Sequence, residues 1–154
     1  ASEKNMGTNF YFDLSFNRDF TTNQFDLEGN GNFNDLKGLR ALIVDDDSIN
    51  QLLIQKILEY QQVDCTISSS GLEAIYQLKT FEFDIVFMDI NMPKMNGFQT
   101  AKNIRAFNAM IPIIALTAVK SDDLGERVRN SGINDYIFKP FVHADFYQKI
   151  KEVL

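Results

Sequence analysis

Cysteine is almost missing from this chain of 154 residues: Cys65 stands alone. An internal disulfide and a cysteine-based zinc site are both excluded, and such usage fits a reducing compartment. Histidine is equally scarce. His143 is the single one, so it has no His or Cys companion with which to hold a transition metal. It falls at the start of the last helical pattern, where a surface residue is expected. Long apolar runs are lacking too. None approaches the ~20 residues that span a bilayer, and no basic stretch leading into an apolar one marks a signal peptide. Positive charge is in deficit, with 15 Lys and Arg against 21 Asp and Glu and a net charge of -6. That balance argues against direct binding of nucleic acid or of an anionic membrane. A cytoplasmic location is the expectation.

What is present is ordinary for a globular chain, 45% hydrophobic and 23% charged, and long enough for one domain with a real core. Near the start, MGTNFYFDLSF alternates Phe10, Phe12, Leu14 and Phe16 with polar neighbours, the period of a half-buried strand. Residues 17–37 are rich in Asn, Asp, Gly and Thr and show neither period, so they read as a linker.

From Leu39 the texture becomes regular. LRALIVD, VDCTISS, FDIVFMDI, IPIIALTAV and NDYIFKPF read as strands. Between them run SINQLLIQKILEYQ, GLEAIYQLKTF, GFQTAKNIRAF and SDDLGERVRNSG, and HADFYQKIKEVL follows the last strand, all as helices. In the first helix Ser48 is in position to cap, and Ile49, Leu52, Leu53, Ile57 and Tyr60 are expected on the buried face. In the fourth only Leu124 and Val128 are clear core residues. Five strand–helix alternations predict an α/β fold with a parallel sheet covered on both faces. The ligand crevice of such a fold lies beyond the carboxyl ends of the strands.

At those ends stand Asp45, Asp46 and Asp47 after the first strand, Asp89 after the third, Thr117 after the fourth, and Lys139 with Pro140 after the fifth. Carboxylates held together repel one another unless a cation joins them. Oxygen ligands without His or Cys favour a hard ion, Mg2+ before Mn2+ or Ca2+. A hydroxyl and an ammonium facing that ion suit a phosphoryl group. Any one of these residues alone could be a solvated loop residue; their coincidence at four strand ends carries the argument.

VDDDSIN, FMDINMPKMNG, ALTA and DYIFKPF, in this order, resemble the motifs of response-regulator receiver domains over residues 38–154. The resemblance implies a (βα)5 flavodoxin-like doubly wound sheet of strand order 2-1-3-4-5. It implies Asp89 as phosphoacceptor from a phosphohistidine, and Asp45, Asp46, Asp89 and the Asn91 backbone carbonyl as Mg2+ ligands, with Mn2+ as a substitute. It also implies that Thr117 and Lys139 contact the phosphoryl oxygens, that Tyr136 switches with Thr117, and that the Lys139–Pro140 bond is cis. Asp47 matches a position that is not usually a ligand.

Residues 2–16, SEKNMGTNFYFDLSF, resemble the last glycine box and closing strand of histidine-kinase ATP-binding domains, with Ser15 where that family often has proline. The expected layout is therefore a remnant strand at 1–16, a linker at 17–37 and a receiver at 38–154, drawn from a hybrid sensor histidine kinase whose parent can be membrane-anchored. The H-box, N-box and first glycine box are not seen, so no kinase activity is expected of this chain, and because Leu154 ends it at the last helical pattern no appended DNA-binding domain is expected in it. Expected partners are a histidine-kinase phosphohistidine domain or a histidine phosphotransfer protein. A homodimer would form through the N-terminal segment, or through the last two helices and the fifth strand. A free-standing single-domain regulator is the alternative. A Mg-dependent phosphohydrolase would want a second acid where Asn91 stands, and a non-phosphorylated interaction module would show a broken pocket.

Overall fold

The computed structural model describes residues 36–140 and 143–154, all within the compact unit Asn32–Leu154. The strand expected at 6–16 lies outside the described residues, as does the linker at 17–37 apart from Leu36 and Lys37. The elements run β1 (Arg40–Val44), α1 (Ser48–Glu59), β2 (Asp64–Ser68), α2 (Gly71–Thr80), β3 (Ile85–Asp89), α3 (Gly97–Arg105), β4 (Ile113–Thr117), α4 (Leu124–Ser131), β5 (Asp135–Phe138) and α5 (His143–Val153). All pairings are parallel, as expected from the alternation, and the order is β2-β1-β3-β4-β5, the doubly wound order implied by the motif resemblance. Among the described residues no helix is long and apolar enough to cross a membrane.

The central strands are apolar throughout because each face meets its own core. Leu42, Val44, Val86, Met88, Ile113 and Ala115 enter a core with residues of α2, α3 and α4. Their neighbours Ala41, Ile43, Ile85, Phe87, Ile114 and Leu116 enter a second core with residues of α1 and α5. Alternation of side chains across a strand thus divides one apolar run between two layers. On the α5 side, Phe146 stacks on Phe87 with ring centroids 5.1 Å apart. At the opposite end of the sheet from the strand carboxyl termini, Arg40 bonds both Asp84 oxygens, at 3.0 and 3.1 Å, and so joins β1 to the start of β3.

In α1 the outcome differs from the sequence expectation. The side chains facing the core are Gln51, Ile54, Ile57 and Leu58, whereas Ile49, Leu52, Leu53 and Tyr60 are exposed. The helix carries two apolar stripes, and periodicity cannot say which one meets the sheet. Its start decides. The cap is Asp47 rather than Ser48, with Asp47 Oδ1 accepting from the backbone N–H of Ile49 at 2.7 Å and of Asn50 at 3.3 Å. Gln51 is drawn inward by a bond from its Nε2 to the Asp45 carbonyl at 2.6 Å. These contacts fix the rotation of the helix. Leu124 and Val128 of α4 are buried as expected.

Candidate functional site

Parallel register brings the strand ends to one edge. Val44 lies opposite Met88, Asp89 opposite Leu116, and Thr117 opposite Phe138. The residues that follow or end these strands are therefore neighbours although up to 94 positions separate them in sequence. Asp45, Asp89 and Thr117 are buried, with exposures of 1%, 7% and 1%, while Asp46 is exposed. One oxygen from each of Asp45, Asp46 and Asp89 lies within 4.8 Å of the others.

Lys139 closes this group. Its Nζ donates to Asp45 Oδ2 at 2.7 Å and to Asp89 Oδ1 at 2.8 Å. Burial alone would lower its pKa, but the bonds to Asp45 and Asp89 outweigh that and raise it above the ordinary lysine value. The ammonium supplies the positive charge that two buried carboxylates require. The remaining acceptor sites are also engaged. Asp45 Oδ1 takes the Asp47 N–H at 2.9 Å and Asn50 Nδ2 at 3.3 Å, and Asp89 Oδ2 takes the Asn91 N–H at 2.9 Å. Thr117 Oγ1 accepts the Val119 N–H at 3.1 Å.

The donor set fits a hard divalent cation. Three carboxylates converge without His or Cys, and one of them, Asp46, faces solvent. Asp47 instead caps α1 and stands apart from this cluster.

Two helix features hold the acidic strand ends in place. The N-terminus of α3 docks directly under the end of β3: the Gly97 N–H donates to the Ile90 carbonyl at 2.9 Å, and a Cβ at Gly97 would lie 2.3 Å from the Asp89 carbonyl oxygen. Asn96 and Gln99 complete a capping box that fixes this end. Gln51 supplies the other brace, from its bond to Asp45 and a 3.3 Å contact with Ser69 Oγ at the end of β2. Sequence reasoning missed Gln51 and Asn50. The available signal was a pair of amide side chains in the first turn of a helix, five and six residues after a strand-end acid.

Tyr136 is half-buried against the α2–α4 side core and meets Phe138 edge-on, centroids 5.4 Å apart. Lys120, on the loop after β4, lies 5.3 Å from the Phe138 ring centre. Phe138, Thr117's neighbour on β5, thus meets both Tyr136 and the loop after β4. The Lys139–Pro140 bond is cis. An open cleft of about 310 Å³ adjoins the cluster, walled by Asn50, Leu53, Ile54, Ala118, Lys139 and Pro140. The backbone of α5 begins at His143, as the sequence pattern placed it.

Known proteins match this arrangement. A family model described as response regulator receiver domain matches residues 41–151. The transcriptional regulatory protein ZraR of Klebsiella oxytoca is 35% identical over 113 residues, covering 73% of this chain and 26% of that protein. The sensor protein GacS of Pseudomonas syringae pv. syringae is 34% identical over 116 residues, covering 72% of this chain and 13% of that protein. The chain therefore spans about a quarter or less of the length of these relatives. Among solved structures, the receiver domain of sensor histidine kinase PA1611 from Pseudomonas aeruginosa, with a magnesium ion in its active-site cleft, superposes with a TM-score of 0.70 at 30% identity. That match covers 75% of this chain and 97% of that one. Vibrio cholerae CheY4 gives a TM-score of 0.73 at 25% identity, covering 76% and 99%. With the parallel five-stranded sheet and the acidic cluster at its carboxyl edge, these matches identify the chain as a member of the response regulator receiver domain family of two-component signalling.

Proposed function

We propose that Asp89 accepts a phosphoryl group from a phosphohistidine, in a site where Asp45, Asp46, Asp89 and the Asn91 carbonyl hold Mg2+, or Mn2+ in its place. The observation that carries this is the Lys139 ammonium joined at once to Asp45 and Asp89, inside a carboxylate cluster that opens on a cleft. A divalent ion there would neutralise charge on the acidic pocket and on the incoming phosphate. Asp89 is aligned by the Asn91 N–H and by Lys139, so one of its oxygens can attack phosphorus while the bond to the donor nitrogen breaks. Lys139 and Thr117 would then take the phosphoryl oxygens, and Thr117 would draw Tyr136 with the β4–α4 loop.

The exposed Ile49, Leu52 and Leu53 on α1, the last of which lines the cleft, suit a donor presented on an apolar helical surface such as a phosphohistidine-bearing bundle. The similarity to a sensor protein, together with the GTNFYFDLSF stretch, favours a receiver that belongs to a hybrid sensor kinase. Asn91 where a phosphohydrolase would want its second acid speaks against steady ester hydrolysis. The test is mass spectrometry after incubation with Mg2+ and acetyl phosphate. One phosphoryl mass is expected on the wild-type protein and none on Asp89→Asn. An equal gain on both would overturn the assignment.

A further inference from the structure

One wall of the cleft carries a polar group that the acceptor chemistry leaves unused. Asn50 stands in the first turn of α1, half-buried, and its Nδ2 donates to Asp45 Oδ1 at 3.3 Å. Among the described residues no donor reaches its Oδ1. The amide nitrogen is engaged at Asp45, which leaves the oxygen as the unused acceptor of a residue that lines the cleft. The other walls are apolar at Leu53, Ile54, Ala118 and Pro140, with Lys139 at the acceptor end. A space of about 310 Å³ with apolar sides, one cation and one unused acceptor matches a flat ring bearing an N–H. It has room besides for apolar side chains flanking that ring.

We infer that Asn50 is the residue by which this domain reads the imidazole of its phosphodonor. The inference rests on Asp89 being the acceptor of phosphohistidine. With the phosphoryl group on Nε2 of the donor ring and Asp89 in line, the ring's Nδ1–H donates to Asn50 Oδ1. The ring reacts as the cation protonated on Nδ1, a form that an acceptor at Asn50 favours. An Asp89 oxygen forms the new P–O bond as the P–Nε2 bond breaks. The electron pair of that bond stays on Nε2, so the ring leaves as neutral imidazole and no further proton moves. Asn50 therefore has two bonds to make: one from its nitrogen that positions Asp45, and one to its oxygen that selects a nitrogen leaving group over an oxygen one.

The test compares two small donors on the whole chain at saturating Mg2+, phosphoimidazole and acetyl phosphate. The latter leaves as acetate and has no N–H to offer. In Asn50→Ala, loss of the Asp45 contact lowers both rates by a common factor, which cancels in their ratio. The ratio of phosphoimidazole to acetyl phosphate rates should fall about tenfold, as expected for losing one hydrogen bond from a charged donor. Asn50→Asp removes the Nδ2 donor but keeps an acceptor oxygen, so its ratio should stay at or above the wild-type value. A role confined to holding Asp45 would move the two variants in parallel. An unchanged ratio in Asn50→Ala, or an equal fall in Asn50→Asp, overturns the inference while leaving Asp89 as acceptor. Failure of both donors to label the wild-type protein overturns the acceptor assignment itself, and the inference with it.

Discussion

Replacing Gly97 by alanine sets two physical effects against each other, and the geometry decides between them. Gly97 has no positive φ and opens α3, so alanine would gain less than the ~1 kcal/mol it gains in a helix interior. Yet the added Cβ would lie 2.3 Å from the Asp89 carbonyl oxygen, 3.0 Å from the Ile90 Cα and 3.1 Å from the Asp89 carbonyl carbon. A methyl carbon needs roughly 3.3 Å from a carbonyl oxygen, so α3 and the end of β3 must separate by about 1 Å. No flexible side chain can yield, since all the opposing atoms are backbone in a close-packed interior. Overpacking of this kind costs about 1–3 kcal/mol. The net expectation is a loss of about 0.5–2.5 kcal/mol, after crediting alanine with about 0.5 kcal/mol of helix preference. The strand that moves carries Asp89, and a misplacement near 1 Å can cost about 100-fold in rate. Urea unfolding should therefore show a lower midpoint with unchanged slope, and labelling by acetyl phosphate should slow by about 10- to 100-fold. A Gly97→Ala protein as stable as the wild type and labelled at the same rate would refute the close-approach argument.

Further outcomes follow from the same structure. Leu53→Ala should change the unfolding free energy by no more than about 0.5 kcal/mol because the side chain is 53% exposed, whereas Ile54→Ala, at 0%, should cost about 2–5 kcal/mol; urea titration of both checks the helix rotation. Burial, with Glu59 and Asp64 adding to it, pushes the Cys65 thiol up to about 12. A disulfide reagent at pH 8 should therefore react with the native protein over about 100-fold more slowly than with the urea-unfolded chain. The Arg40 guanidinium beside Asp84 holds that carboxyl below the usual carboxylate range. A depressed folded-state value means stability that is present above the unfolded pKa and lost as pH falls through the folded one. Asp84→Asn should thus cost about 0.5–1 kcal/mol at pH 7, and the gap to wild type should close in acid unfolding curves below the ordinary carboxylate range.

How much of this could be read from the chain varies with the kind of contact. Strands β1, β3 and β4 announce themselves because burial on both faces demands continuous branched residues such as RALIV and IVFMD. The five alternations dictate parallel pairing, since each crossover is long enough only for a helix. Asp45, Asp89, Thr117 and Lys139 were legible for the same reason: a strand end is a position that local pattern defines. The outward stripe of α1 was not. Ile49, Leu52 and Leu53 have the spacing of a core face, and only the Asp47 cap and the Gln51–Asp45 bond turn them to solvent. Asn50 and Gln51 went unread because their ties to Asp45, five and six residues back, follow neither the helical nor the strand period.

The sequence by itself thus determined the element order, the sheet and the identity of the residues at its carboxyl edge, because hydrophobic period and strand punctuation are local properties. Tertiary structure alone decided which stripe of α1 is buried and that one ammonium serves both Asp45 and Asp89. It also decided that Gly97 must be glycine and that Asn50 borders an open cleft. Each of these depends on distances between segments that only packing brings together, and a linear pattern holds no record of such distances.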